Sequence, residues 1–338
     1  SDLLSGWYHE FQYGYGRGIL ACCRKHHYPV FYIVFKTDIR KGRVMKIFKG
    51  LKKAIWLICM SALAVSMIYP LFCNLMAGLM KKEEFQDIGT MLPIPKEPNF
   101  ENYLHVLSPQ GLYPLLNTVL RTVWFTFILT LMACMIGYVL ARLKFRGRNL
   151  FFILLLIIQV VPWVLTTIPL YVMVARLPFL GVNNWMGVGG HGLIDNPIII
   201  YLLISPSCLT NIFLFRQGMF SLPRDFEEAA EIDGCSFLRM IFSIIVPIQK
   251  PILIVIAIGN ALWAWNEWLI PFIFVNKMKY KTIPAYVGTL TTQLLSFGER
   301  NYPLLFALAT VATIPPLIIF LVLQKYIVQG LASAGIKG

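Results

Sequence analysis

Six apolar runs, each about as long as a bilayer is thick, dominate this sequence and leave little choice of fold. They cover residues 54–79, 115–140, 150–174, 197–215, 244–274 and 303–326. A helical span takes roughly 20 apolar residues. Inside lipid every backbone N–H and C=O has to find its partner within the protein. Helices satisfy that demand segment by segment, so an all-α integral membrane fold with about six transmembrane helices is expected. Hydrophobic residues make up 57% of the chain and charged residues only 14%, against about a quarter charged in soluble domains. A water-soluble domain of this length could not cover that much apolar surface. Prolines 162 and 169 fall inside the third run, and prolines also fall in the fifth and sixth, so kinks are expected there.

The net charge of +14 would suggest nucleic acid in a soluble protein. Here the basic residues sit between apolar runs, where they set orientation. With the N-terminus inside, the inner connections carry 17 Lys and Arg and the outer ones 8. Both termini are therefore expected in the cytoplasm, and no nucleic-acid partner is expected. The seven cysteines, Cys22, Cys23, Cys59, Cys73, Cys134, Cys208 and Cys235, form no C-x-x-C pair and read as small apolar residues. His26 and His27 beside Cys22 and Cys23 match no zinc spacing, so no metal is expected.

Residues 1–44 are aromatic and basic and read as an extension without an assigned role. The stretch 28–35 is apolar but too short to span, and suits an interface. Met45 opens MKIFKGLKKAIWL, which reads as a natural start followed by the first span. Residues 45–338 then form the transmembrane domain. In the outer connections, 91–98 and 187–192 are rich in proline and glycine and read as turns, with His191 exposed in the second.

One polar, acidic interruption stands out, SLPRDFEEAAEIDGCSFLRMIFSIIVPIQKP at 221–251. Pro223 suits a first helical turn. Asp225, Glu227 and Glu228 follow where the helix dipole favours negative charge. Ala229 and Ala230 favour helix and keep the surface small. Asp233-Gly234 supplies a stop, because glycine accepts a positive φ. A second helix is expected from about Cys235, leading into the fifth run. On charge and helix signals alone, this element is either an amphipathic cap on the bundle or a plug for a partner's groove.

The run Glu228-Ala229-Ala230, then Gly234, then Ile244 and Pro247 resembles the signature of permease subunits in binding-protein-dependent ATP-binding-cassette importers. Val246 stands where that signature usually has leucine. Residues 93–104, the WAWNEWLIP stretch at 263–271 and the tail from Gln324 resemble the sugar-importing branch, in particular its maltose-transporter-like second permease. The resemblance covers about 45–338. It implies a type I importer permease fold in a bacterial cell membrane, with a coupling helix within about 221–247. It further implies a second permease subunit, two ATPase subunits that bind ATP and magnesium, and an extracytoplasmic sugar-binding protein. Glu228, Ala229, Ala230, Asp233 and Gly234 would then form the ATPase-docking set, with both alanines against the groove wall. The chain itself has no G-x-x-x-x-G-K-[ST], so no cofactor of its own and no catalysis are expected.

Glu267 falls about 30 Å along the helix from Pro247, near the outer interface. Trp265, Asn266, Glu267 and Trp268 read either as an aromatic belt around a wetted carboxylate, or as an outer gate or contact for the binding protein. Asn117 and Arg121 at the outer end of the second run suit snorkelling. Gln159, Asn211 and Asn260 suit either helix packing or a solute path. A secondary transporter would need coupling carboxylates at mid-membrane, and none falls there. An importer of a non-sugar solute stays open as the alternative.

Overall fold

The computed structural model describes residues 29–86, 93–203, 208–297 and 301–335. Cys22, Cys23, His26 and His27 lie outside the described residues. Among those described, the secondary structure is helical, with no strand. The chain divides into two compact units, residues 1–70 and 71–338. Helix α1 (Pro29–Gly78) fills the described part of the first unit, and its last turns belong to the second. It takes in most of the short apolar stretch at 28–35. Its apolar part, Leu51–Gly78, spans 28 residues. Leu57, Ile58, Val65, Met67 and Ile68 are all exposed, as befits a helix whose solvent is lipid.

The second unit contains α2 (Pro109–Arg142), α3 (Arg148–Val160), α4 (Thr167–Ala175), α5 (Cys208–Phe220), α6 (Asp225–Ile232), α7 (Lys250–Asn266), α8 (Leu269–Phe274), α9 (Ile283–Phe297) and α10 (Tyr302–Gly335). Helix α2 is the spine. Pro109 starts it at a position where no intrahelical N–H bond is lost. It packs along α5 and α7, while α10 packs on α7 and α9. A side chain at Gly137 would bring its Cβ to 2.9 Å from Phe215 Cδ1. Glycine there lets α2 and α5 approach closely, the device membrane helices use in place of a hydrophobic drive.

Among the described residues, four helices are long and apolar enough to cross a membrane alone: Leu51–Gly78, Gly111–Arg142, Lys250–Phe274 and Tyr302–Lys325. The run 150–174, expected as one kinked span, is two helical pieces bent by 87°. Val161 is extended, with φ −71° and ψ 120°, as the residue before a proline tends to be. Pro162 then removes one N–H from the ladder. In the run 197–215, the helix Ile199–Leu202 stops at Leu203, which is extended with φ −79° and ψ 103°, and α5 is described from Cys208. The apolar lengths and the kink at Pro162 were legible in the sequence, but the size of the bend was not. Helix α9 occupies a stretch that the sequence assigned only as an outer connection.

The connection at 176–196 is built, not loose. Asn183 Nδ2 donates to the carbonyls of Ala175 and Leu177 at 2.8 and 3.0 Å. Its Oδ1 accepts from Gly190 N–H. His191 is exposed there, as expected. Asp195 ties this connection to the end of α8. Its N–H donates to the Phe274 carbonyl at 2.8 Å, and its Oδ1 accepts the N–H groups of Asn276 and Lys277 at 3.0 and 2.9 Å. Burial pushes the Asp195 carboxyl upward. The two N–H bonds and the Lys277 ammonium outweigh it and hold the group below the ordinary carboxylate value.

A depressed carboxylate stabilises the fold at neutral pH and loses that contribution as pH falls through its lowered value. Protection of the Asn276 and Lys277 amides against hydrogen exchange, relative to an unfolded peptide at the same pH, should therefore persist through mild acid and fall only below the usual carboxylate range. Asp195→Ala should quicken exchange at neutral pH, by about 1–3 kcal/mol of local stability.

Candidate functional site

Helix α6 and the bend after it form the most sharply defined surface element. The helix opens at Asp225, two residues past Pro223, with Asp225, Glu227 and Glu228 in its first turn. It ends on Asp233, and Gly234 takes a φ of 73°. Gly234 N–H donates to Glu231 O at 3.0 Å, and Cys235 N–H to Ala230 O at 2.9 Å. These two bonds close the helix end in the manner of a Schellman motif. Cys235 and Ala230 pack in the same apolar cluster, the contact that usually accompanies it. After Phe237–Met240 the chain forms a π-helical turn at Ile241–Ile245 and then enters α7 near Pro247.

The five residues expected to dock a partner do not all face outward. Glu228, Ala229, Asp233 and Gly234 are exposed. Ala230 is 4% exposed and sits in the protein's own core beside Phe215, Met219 and Met240. That corrects the expectation that both alanines lie on the outer face. Neighbours are about 100° apart around the helix, and here Ala229 falls on the exposed face while Ala230 falls on the buried one. The face around Ala229 is apolar: three residues to either side, Phe226 is half exposed and Ile232 is 86% exposed. Among the described residues the Glu228 carboxylate forms no ion pair.

Glu227, which sequence reasoning placed only as a dipole-favoured acid, turns inward. Its Oε1 accepts Arg142 Nε at 2.6 Å, and its Oε2 accepts the Tyr138 hydroxyl at 3.4 Å. Arg142 Nη2 also donates to Leu222 O at 2.7 Å. The two side chains are 8% and 10% exposed.

In the first half of α2, about 30 Å along the helix from Arg142, Arg121 is wholly buried. Its Nη2 lies 2.6 Å from Glu267 Oε2, its Nε donates to Ile200 O, and its Nη1 donates to Ala264 O. The Phe125 ring centroid is 4.8 Å from the guanidinium carbon. Snorkelling is thus corrected: the side chain is fully buried and has three acceptors within the bundle. The wetted reading of Glu267 is corrected with it, since its other oxygen accepts Ile270 N–H at 2.9 Å. That bond bridges the break between α7 and α8. Asn117 Nδ2 also turns inward, donating to the carbonyls of Lys279 and Lys281.

The break opens a cleft of about 390 Å³, lined by Trp163, Leu262, Trp263, Asn266, Trp268 and Leu269 over the buried Glu267. Of the four residues expected at an outer gate, Asn266 and Trp268 are exposed at this cleft. Trp265 is buried and donates to the Ala312 carbonyl. Deeper in the bundle, Asn211 donates to Asn260, and Asn260 to Thr130. Asn260 is 1% exposed, which makes this a packing contact between α2, α5 and α7. Gln159 donates to the Thr210 hydroxyl.

The family described as "Binding-protein-dependent transport system inner membrane component" matches residues 116–333, which include every residue of this site. The chain belongs to that family. It is a multi-pass membrane protein, and the curated relatives it matches are permease proteins. It is 32% identical to the arabinooligosaccharides transport system permease protein AraQ of Bacillus subtilis, over 82% of this chain and 92% of that one. It is 33% identical to the alpha-glucoside transport system permease protein AglG of Rhizobium meliloti, over 72% of this chain and 62% of that one. Among solved structures, it shares a fold with a chain of a bacterial ABC transporter involved in alginate import. The TM-score there is 0.63, with 21% identity over 85% of this chain and 98% of that one.

Removing one member of a buried ion pair leaves the other charge unmatched, at about 3–5 kcal/mol. Glu267→Gln and Arg121→Met should each lower the thermal unfolding midpoint of the detergent-solubilised permease. The double variant should lie well above the sum of the two, because no buried charge is left behind.

Proposed function

We propose that this chain is one permease subunit of an ATP-driven oligosaccharide importer, with α6 as the cytoplasmic element that docks an ATPase. The carrying observation is the outer face of α6. It puts an unpaired Glu228 beside Ala229, Phe226 and Ile232, closed by a glycine bend. Exposed apolar residues grouped around an unpaired charge mark a surface made for a partner. In water alone they would be a liability.

ATP and magnesium would be held by two partner ATPases, and a second permease would complete the path. An extracytoplasmic binding protein would deliver the solute. The carbohydrate class is supported by the relatives, which are named for arabinooligosaccharides and alpha-glucosides. The cleft supports it too. Three indole rings and one amide side chain give flat apolar faces with a polar group at the edge, the mixture that small-molecule sites use. The excess of basic residues on the connections that include α6 supports a cytoplasmic position for it. Closure of the ATPases would displace α6, and the attached helices would turn the path from one side to the other.

The bend at Gly234 has empty space where a Cβ would lie, so only its backbone limits substitution. A β-branched residue at a φ of 73° is strained, by about 1–3 kcal/mol. Gly234→Val should insert normally in the membrane but abolish solute-stimulated ATP hydrolysis by the reconstituted complex. Gly234→Asn, which tolerates positive φ, should retain most of it. Normal stimulation in the valine variant would reject the docking role.

A further inference from the structure

Helix α6 is held by the chain on both sides, by Ala230 in the apolar core and by one buried ion pair. Behind it, residues 221–224 lead back to α5. Ahead of it, the chain runs through Gly234 and the π-helical turn into α7. That forward route is soft. It passes through a glycine with nothing within 4 Å of its Cβ position, and then a stretch whose hydrogen-bond ladder is not α-helical. The side-chain attachment is the contact of Glu227 with Arg142 and Tyr138, backed by Arg142 on Leu222 O. Phe237 adds an edge contact to Tyr138, with ring centroids 5.6 Å apart. This route is stiff: the bonds are charge-assisted, directional and sheltered from water.

We propose that the Arg142–Glu227 pair is a positioning clamp that passes displacement of α6 to α2, so that α2 and α7 move together when a partner pulls on α6. The proposal rests on the docking reading above. Stability does not explain the pair, because a buried ion pair often stabilises no more than apolar residues of the same volume would. Fixing one element against another is the use such pairs are best known for. The geometry suits that use. Arg142 is the last residue of α2, and Glu227 lies in the first turn of α6. Each charge therefore also complements the dipole of its own helix. Glu227 faces inward while its neighbour Glu228 faces outward, so one helix turn holds both a grip on the permease and a grip for the partner.

The test uses the complete importer in proteoliposomes, measuring ATPase co-purification, ATP hydrolysis, and solute moved per ATP. Glu227→Gln should keep the ATPase bound and hydrolysing but move about tenfold less solute per ATP, the scale of one lost charge-assisted bond. The exchange R142E/E227R should recover a substantial part of that ratio. An unchanged ratio in Glu227→Gln overturns the clamp, as does an assembled exchange variant with no recovery. Should Glu227→Gln fail to assemble, Arg142→Lys decides, because it keeps the charge and loses the fork. A lowered ratio supports the clamp and a normal one overturns it. Glu228→Lys, run in parallel, reports on docking alone. If it leaves ATPase association intact, the docking reading fails. If it releases the ATPase while Glu227→Gln couples normally, only the clamp fails.

Discussion

A guanidinium taken out of water needs an acceptor for each of its donors, and the second unit of this protein is assembled around two such groups on one helix. Arg121 and Arg142 lie about 30 Å apart along α2, close to the thickness of a bilayer core. Each pairs at 2.6 Å with a glutamate. Glu267 comes from the end of α7 and Glu227 from α6, the short helix that precedes the π-helical turn leading to α7. The acid–base pairs therefore hold the end of α7 against the first half of α2, and α6 against the last turn of α2. Between them the contact is apolar or amide-bonded, through Phe125, Leu129 and Ala264 and through Thr130 and Asn260. Register along the spine is fixed at its ends by charge and filled between by packing.

Both ends do something further with the same residues. At one end Glu267 uses its second oxygen to hold the break between α7 and α8, and that break forms the aromatic cleft. At the other end Glu227 leaves Glu228 and Ala229 facing outward on a short helix. On the proposed reading, the solute-facing and partner-facing elements share one rigid strut. Motion imposed at α6 then reaches the cleft through α2 and α7 without crossing a flexible connection.

The sequence disclosed the helical class, the long apolar segments and the α6 bend, because those depend on local physics. Apolar length, glycine at positive φ and acids in a first turn all act within a few residues. It did not disclose which way single side chains face. Arg121 looked like a snorkelling residue because its acceptors, the carbonyls of Ile200 and Ala264, are more than seventy positions away. Glu227 and Glu228 are chemically identical neighbours, and only their azimuth on α6 separates an internal ion pair from an open carboxylate. Ala229 and Ala230 divide in the same way. The break at Val161–Pro162 had a signal in the proline, but a kink and an 87° bend look alike in sequence. Helix α9 was missed although Pro284 stands at its start, because its neighbours suggested only a connection.

The orientation of α6 is the center of this account, and a photo-crosslinking residue placed at each alanine in turn reads it directly. In membranes carrying the whole importer, a crosslinker at position 229 should join the permease to an ATPase subunit. One at position 230 should give no such product, because that side chain lies in the permease core. Capture of the ATPase from 230 but not from 229, or from neither position in a complex that still hydrolyses ATP, would contradict the account.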